Sequence, residues 1–463
     1  MAQDCENALT ALLDEIPRKR MLDLISRRGV GLIDWEKVVP LKDGDIAQLT
    51  TLPQPEEAEI AEFMKKVAVV KLNGGLGTTM GLTGPKSTIV IKEKKNFLEL
   101  TFEQIRHVNN LFHCSVPLVL MNSFNTEAET KKFVSKATDL NIICFNQNQF
   151  PRLNRETLMP IAKSRDDPAS CWYPPGHGDL YDSLLASGTL DLFAKTGIEY
   201  IFVSNIDNLG ATIEPKILNR LFKQGNDVLI ELTPKTPTDI KGGTVIRYPT
   251  EKGELGYKLL EIAQVPAPYV GEFKSVRKFS VFNTNNIWIK VSFLREALET
   301  GRLQLDVISN PKTVNDIPVL QLETACGAIV SCSTKVDVVS VPRIRFIPTK
   351  TCSDLILIMS NYYECAGGSL YVNPKRNFST FPVMSLGPCF SKIKDLAQRC
   401  PSPPDLVEME SLTTVGDVTF GADVVIKGNV VIVAQESQKI VIPPKAVLDN
   451  VTVTGSLQII PRN

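Results

Sequence analysis

A mostly apolar run, Val67-Ala-Val-Val-Lys-Leu72, leads into Asn73-Gly-Gly-Leu-Gly-Thr-Thr-Met-Gly-Leu-Thr-Gly-Pro-Lys86. Glycines let backbone N–H groups approach a phosphate or a base with no Cβ in the way. Lys86 adds a mobile positive charge. The chemistry that suits such a turn is nucleotide phosphate binding. Two familiar phosphate turns fail the comparison. A P-loop needs Gly-Lys-Ser/Thr contiguous, and Pro85 separates Gly84 from Lys86. A dinucleotide turn needs G-x-G-x-x-G, and Gly75-Leu-Gly77-Thr-Thr-Met-Gly81 carries one residue too many. The plainer alternative is a strand and turn whose glycines serve packing. Five glycines and a lysine within thirteen residues argue against it.

Further segments carry polar chemistry in order along the chain. They are Met121-Asn-Ser-Phe-Asn-Thr126, Pro174-Pro-Gly-His-Gly-Asp179, Ser204-Asn-Ile-Asp-Asn-Leu-Gly210, Lys241-Gly-Gly243, Phe282-Asn-Thr-Asn-Asn286 and Arg345-Phe-Ile-Pro-Thr-Lys350. Together with the glycine turn and Gly84-Pro-Lys-Ser87, they resemble the eukaryotic UTP–glucose-1-phosphate uridylyltransferase (UDP-glucose pyrophosphorylase) family from residue 67 to the C-terminus. The related UDP-N-acetylhexosamine pyrophosphorylases usually have arginine where Thr79 stands. The first 50 or so residues resemble the family only loosely.

The resemblance implies attack by a glucose-1-phosphate oxygen on the α-phosphorus of UTP, giving UDP-glucose and pyrophosphate. The attacking phosphate is already ionised, so no general base is needed. Catalysis then comes from positioning and from neutralising crowded negative charge. That calls for lysines and Mg²⁺ rather than a Ser-His-Asp set, and the chain has three histidines. Lys86 is the expected α-phosphate cation, because Pro85 stiffens its approach. The alternative is a surface lysine closing the loop. Lys350 follows Arg343 and Arg345. As a pattern it reads equally as a charged loop, and the resemblance places it at the sugar phosphate or the product diphosphate. Asp207 ends the Ser204-Asn-Ile-Asp207 run and suits Mg²⁺, which usually takes one or two carboxylates plus phosphate oxygens. It also suits a turn.

For the base, the resemblance implies Leu72, Asn73, Gly74 and Gly75, with Gln147 reading uracil through a paired donor and acceptor. Met121 is expected near the base or ribose, or as plain core. The Gly176 backbone approaches the base. His177, between two glycines, is expected to bind sugar or phosphate rather than move a proton. Asn205, Gly243, Glu261, Asn283 and Asn285 are expected around the sugar, where polar readers reject an altered hydroxyl. Two other readings stay open. One is the same chemistry on galactose-1-phosphate or an N-acetylhexosamine-1-phosphate. The other is an inactive sugar-nucleotide-binding or assembly protein.

Composition sets outer limits. The 463 residues exceed one minimal core, so two or three domains are expected. Lys plus Arg and Asp plus Glu are 51 each, so no basic excess points to nucleic acid. Phosphate binding must therefore be a local matter. The ten cysteines form no C-x-x-C pair, and no apolar run approaches a membrane span. Without a signal peptide, reduced thiols in a cytoplasmic enzyme are expected.

These residues need elements to hold them. Residues 1–60 read as an amphipathic helical segment. From residue 61 to 350, strand-like stretches at 68–72, 117–122, 141–145, 200–206, 228–232 and 279–291 alternate with helical ones such as 102–112, 180–194 and 215–223. Such alternation predicts a mainly parallel, Rossmann-like α/β sheet covered by helices on both sides. With the resemblance, this is a GT-A-like nucleotidyltransferase domain. Ligands gather beyond the C-terminal strand ends of such sheets. A connecting helix and a linker around Pro401-Ser-Pro-Pro404 fill 351–405. In 406–463, Asp417-Val-Thr-Phe420, Asp423-Val-Val-Ile426 and Asn429-Val-Val-Ile432 repeat every six residues, with Asn450-Val-Thr-Val453 as a displaced copy. That period predicts a parallel, left-handed β-helix rather than a meander. Its flat end either pairs with another copy, building a homo-oligomer, or is capped.

Overall fold

The computed structural model describes residues 2–28, 32–236, 239 and 242–455. Its centre is an eight-stranded sheet. From one edge to the other the strands are Ala47–Gln48, Val336–Ser340, Val228–Pro234, Val281–Lys290, Tyr200–Asn205, Val67–Leu72, Leu118–Asn122 and Ile142–Asn146. Val67–Leu72 is buried at every position and runs parallel to both of its neighbours. Its side chains alternate between two cores, as a strand's period of two requires. Val67 and Val69 join one core, with Leu118, Leu120, Tyr200 and Phe202. Ala68, Val70 and Leu72 join the other, with Val119, Met121, Ile201 and Val203. Helices cover both faces. Phe97–Phe112, Pro215–Gln224 and Cys352–Met359 pack on the first, and Leu180–Ala186, Thr189–Thr196 and Val291–Glu299 on the second.

Local chemistry sets the ends of these helices. Asn96 caps Phe97–Phe112, its Oδ1 accepting from Glu99 N–H at 2.9 Å while Glu99 Oε2 accepts from Asn96 N–H at 3.0 Å. This reciprocal pair starts the helix before the expected residue 102. Pro215 opens Pro215–Gln224 and Gly225 closes it in a left-handed conformation.

The strand expected at 279–291 is present with its direction now defined, and two other expectations are corrected. The 279–291 stretch forms the strand Val281–Lys290, which runs antiparallel to both neighbours inside the otherwise parallel sheet. The single helix expected over 180–194 is two helices, broken at Gly188, whose φ of 72° ends the first. The N-terminal segment is only partly helical. Ala2–Leu12, Glu15–Arg27 and Glu57–Met64 are helices, but Ala47–Gln48 is the edge strand of the central sheet and Val39–Pro40 pairs with Gly243–Pro249.

Beyond residue 380 the strands stack in parallel. Met409–Val415 lies between Val383–Ser385 and Val425–Val433, and Val425–Val433 also pairs with Val447–Asp449 and Thr452–Thr454. Asp417–Phe420 pairs in parallel with Lys439–Ile442. The stack therefore takes in Val383–Ser385, ahead of the proline stretch. The second and fourth residues of each six-residue copy point inward: Val418 and Phe420, Val424 and Ile426, Val430 and Ile432 are all buried. This interior is continuous with the core on one face of the central sheet.

Candidate functional site

In the central sheet the chain leaves Val67–Leu72 on one side toward Leu118–Asn122 and on the other toward Tyr200–Asn205. The order reverses there, and the crevice above the carboxyl ends of such strands is where ligands bind. Both the glycine turn and Asp207 leave the sheet at this point.

The turn is held from below. Asn73 is buried; its N–H donates to the Met121 carbonyl at 2.8 Å. Its Nδ2 donates to Asn122 Oδ1 at 2.7 Å and Thr130 Oγ1 at 2.9 Å. Asn73 thus faces inward and anchors the turn. Met121 is sealed in the core with Leu72 and meets the turn through its carbonyl. Ser123 Oγ donates to the Gly74 carbonyl at 2.8 Å. Space above Gly75 is open: a Cβ there would meet nothing within 4 Å. The turn closes where Leu76 bridges Pro85 and Lys86 N–H donates to the Gly75 carbonyl at 3.2 Å.

Gln147 lies directly on this turn. A Cβ at Gly74 would fall 2.0 Å from Gln147 Nε2. The Gln147 N–H is fixed on the Asn122 carbonyl at 2.9 Å, whereas its Oε1 is buried without a hydrogen-bond partner. Buried polar atoms rarely stay unpaired, so this carbonyl suits a ligand donor. Asp179 braces the same segment, its carboxylate accepting from Asn148 N–H at 2.7 Å and Asn148 Nδ2 at 2.9 Å. Burial pushes the Asp179 carboxyl up to about 6, against those hydrogen bonds.

The charged groups meet across the crevice. Lys86 Nζ forms an ion pair with Asp207 Oδ2, their side chains 18 % and 12 % exposed. Lys86 and Lys350 line one cleft of about 730 Å³, shared with Asp239, Arg343 and Asp354. Lys350 Nζ sits 5.4 Å from the Phe282 ring centroid and 5.7 Å from that of Phe346. Lys350 retains solvent contact as a residue. Enclosure of its ammonium nonetheless lowers its pKa, opposed by Asp207 first and then by Asp239, Asp354 and Glu261. Among the described residues, no three His, Cys, Asp or Glu side chains gather into a cage for a metal.

The remaining expected residues form one polar group. Asn285 Nδ2 donates to Asn205 Oδ1 at 2.9 Å, and Asn283 Oδ1 accepts from Asn285 N–H at 3.0 Å. Gly243 faces Glu261 in the strand register, and a Cβ on it would lie 2.7 Å from Glu261 Oε1. Burial raises the Glu261 pKa, with Lys350 opposing. Lys241 lies outside the described residues. Gly176 and Gly178 press their backbone against Thr324: a Cβ would fall 2.7 Å from its carbonyl oxygen and 2.4 Å from its Oγ1, respectively. Between them, His177 Nδ1 accepts from Cys326 N–H at 3.0 Å. That bond leaves the ring proton on Nε2. Burial drives the His177 pKa down to about 4, so the ring is a neutral donor.

Sequence reading missed Cys326 altogether. Its thiol lies 3.2 Å from Asn285 Oδ1 and its N–H donates to His177 Nδ1, so it touches two expected sugar-site residues directly, while its carbonyl accepts from Tyr181 O–H at 2.6 Å. No local motif announces it, since its partners come from distant segments. Asp179 and Asn208, by contrast, sit inside segments already singled out, without a role.

Comparison with known proteins identifies the family. A family model described as UTP–glucose-1-phosphate uridylyltransferase matches residues 19–427. The UTP–glucose-1-phosphate uridylyltransferase of Saccharomyces cerevisiae is 43 % identical over 443 residues, covering 94 % of this chain and 87 % of that one. The Hordeum vulgare enzyme of the same name is 44 % identical over 450 residues, covering 96 % and 94 %. Among solved structures, UDP-glucose phosphorylase from Trypanosoma brucei superposes with a TM-score of 0.88 at 34 % identity, covering 98 % of this chain and 99 % of that one. A mutant UDP-glucose pyrophosphorylase from Leishmania major in complex with UDP-glucose gives the same TM-score, identity and coverage.

Proposed function

The chain belongs to the UTP–glucose-1-phosphate uridylyltransferase family and forms UDP-glucose and pyrophosphate from UTP and glucose-1-phosphate, and we propose that it does so by direct, reversible in-line transfer with Mg²⁺ held at Asp207. A glucose-1-phosphate oxygen forms a bond to the α-phosphorus. The bond from that phosphorus to the bridging oxygen breaks, and its electron pair leaves with pyrophosphate. No proton moves, so the residues only have to hold, orient and neutralise.

Lys86, fixed by the Gly75 carbonyl, serves the α-phosphate. Lys350, across the same cleft, serves the sugar phosphate or the departing diphosphate. The open space over Gly75 admits the base, and Gln147 reads uracil, Oε1 accepting from N3–H and Nε2 donating to a carbonyl. His177 offers Nε2–H to the sugar phosphate. Asn205, Asn283, Asn285, Glu261 and the Gly243 backbone face the sugar. The fit to Mg²⁺ rests on Asp207, a carboxylate at a strand end beside two lysines. When bound there with phosphate oxygens, the ion supplies positive charge to the polyphosphate.

The observation that carries this reading is that Lys86 and Lys350 line one cleft while Lys86 pairs with Asp207 beside the sheet's switch point. The test is pyrophosphate release by the purified protein with UTP, Mg²⁺ and one sugar-1-phosphate at a time. Release with glucose-1-phosphate that stops on chelation is expected. Faster release with galactose-1-phosphate or an N-acetylhexosamine-1-phosphate would move the assignment to that sugar. We read residues 383–455 as a left-handed parallel β-helix whose last coil is an end for pairing with another copy. We propose a cytoplasmic location; among the described residues no helix is long and apolar enough to cross a membrane. Light scattering on the full chain checks the pairing.

A further inference from the structure

The groups assigned to phosphate chemistry stand on segments more than a hundred residues apart, and one buried side chain joins two of those segments. Asn208, next to Asp207, is 1 % exposed. Its Nδ2 donates to the Arg345 carbonyl at 3.1 Å and to Asn286 Oδ1 at 3.2 Å, and its Oδ1 accepts from Ile347 N–H at 3.0 Å. An isolated antiparallel bridge pairs its backbone with Pro348. The close approach continues at Gly210, where a Cβ would lie 2.2 Å from the Ile344 carbonyl oxygen.

Each segment is also tied to the sheet. Arg345 donates through Nε and Nη2 to the fully buried Glu231 carboxylate at 2.8 Å and 2.7 Å. Glu231 accepts from Trp288 Nε1 at 2.9 Å as well. On the other side, Lys71 Nζ donates to Ser204 Oγ and to the Ala211 carbonyl, both at 2.8 Å. Arg345 Nη2 also donates to the Thr212 carbonyl at 2.9 Å, five residues beyond Asp207. Asn208 is the tie that lies next to Asp207 itself and reaches the chain on both sides of Phe346.

The chemistry of asparagine fits this task. Its amide offers a donor and an acceptor at one end of a short side chain, so it pairs with a carbonyl and an N–H of a passing segment as a neighbouring strand would. Aspartate keeps only the acceptor. Alanine keeps neither and leaves buried backbone groups unpaired.

We infer that Asn208 is a positioning residue that fixes Lys350 relative to Asp207, through its hydrogen bonds to the Arg345 carbonyl and the Ile347 N–H. The inference rests on the reading of Lys350 and Asp207 as phosphate-handling groups.

A double-mutant cycle tests it. Asn208→Ala should lower kcat roughly 10- to 100-fold, the scale of a misplacement of about 1 Å at a reacting centre. The KM for UTP should change by less than about threefold, because the base end is held elsewhere. In a Lys350→Ala background the same substitution should lower kcat by less than about threefold, since the group it positions is gone. Asn208→Asp should fall between alanine and wild type, and it replaces the alanine in the cycle if that variant does not fold by thermal unfolding. Equal losses of kcat in both backgrounds would show a merely structural role and overturn the inference. So would an Asn208→Ala enzyme with normal turnover. Lys350→Ala with normal turnover would instead remove the reading beneath the inference, and both would fall.

Discussion

Gly74→Ala separates reading the base from folding the chain. The Cβ added there would sit 2.0 Å from Gln147 Nε2, and the next nearest atoms are Gln147 Cδ at 3.3 Å and Ser123 Cβ at 3.5 Å. Gly74 is not among the positive-φ glycines, so alanine fits the backbone. Only the end of a flexible side chain must move. To reach ordinary contact the Gln147 amide must retreat by about 1.4 Å. That is a small cost to the fold, and we expect a change in Tm of no more than a few degrees. For recognition it is large. A donor and acceptor pair displaced by more than 1 Å loses hydrogen bonds within a half-buried site, each worth about 1–3 kcal/mol when its partner is left unpaired. The KM for UTP should rise about 10- to 100-fold, while saturated turnover falls far less. Initial rates at varied UTP and fixed saturating glucose-1-phosphate measure both. Gln147→Ala should produce a comparable rise, and the double variant should be no worse than either single one. A folded Gly74→Ala enzyme with an unchanged KM for UTP would refute the placement of uracil beneath Gln147.

Four other outcomes are expected. Lys86→Ala should reduce kcat about 10²- to 10³-fold, as loss of one preorganised charge donor does, while the protein still folds. Near-normal turnover would sink the assignment of Lys86. Asp207→Asn should raise the Mg²⁺ concentration needed for half-maximal rate, and an unaltered Mg²⁺ titration would exclude it as a ligand. His177, with its pKa near 4, stays neutral from about pH 8 to about pH 5.5. The ratio of wild-type to His177→Gln kcat/KM for glucose-1-phosphate should therefore be flat over that window, and a step near pH 6.5 would contradict a neutral donor. Asp179 titrates near 6 in the fold against about 3.9 unfolded. The folded state binds the extra proton, so this stabilisation is complete below about pH 4 and lost as pH rises through 6, roughly 3 kcal/mol in all. Of this, about 2 kcal/mol should be lost by wild type relative to Asp179→Asn between about pH 4.5 and about pH 7.5 in denaturant unfolding, and a pH-independent difference would contradict it.

What the sequence made legible follows from what is local in space. The apolar run before the glycine turn, fully buried in the sheet, is read correctly because its strand needs no partner to be recognised. The six-residue period marks inward positions because alternation is a property of one strand at a time. Direction is another matter. Val281–Lys290 is buried on both faces, and a doubly buried run looks the same whichever way it points. Its antiparallel course is decided by the chain entering from the Gly243–Glu261 hairpin. The break at Gly188 hides for a related reason: apolar spacing continues on both sides, and only the left-handed turn shows that the axis changes. In the site, motif residues came forward because they cluster in sequence. Cys326 and the clasp role of Asn208 stayed hidden because each joins segments far apart.

Charge at the site bears on the proposed role of a divalent cation. Overall the chain is neutral, so nothing remote draws a polyphosphate in. Locally the positive groups are largely balanced already. Lys86 is paired with Asp207, and Arg343 with Asp239 at 2.8 Å and 2.9 Å. Lys350 faces Asp354 and Glu261 as well as those two aspartates. A nucleoside triphosphate entering with several negative charges would find no net positive field. It must either break these pairs or arrive with compensation. On the proposed reading, Asp207 would hold Mg²⁺, which would supply that compensation, and Lys86, no longer paired, would be available to the phosphate. On that reading the Lys86–Asp207 ion pair would be the resting form of the groups proposed to hold the substrate, and the Lys86 and Asp207 substitutions would test one exchange of partners.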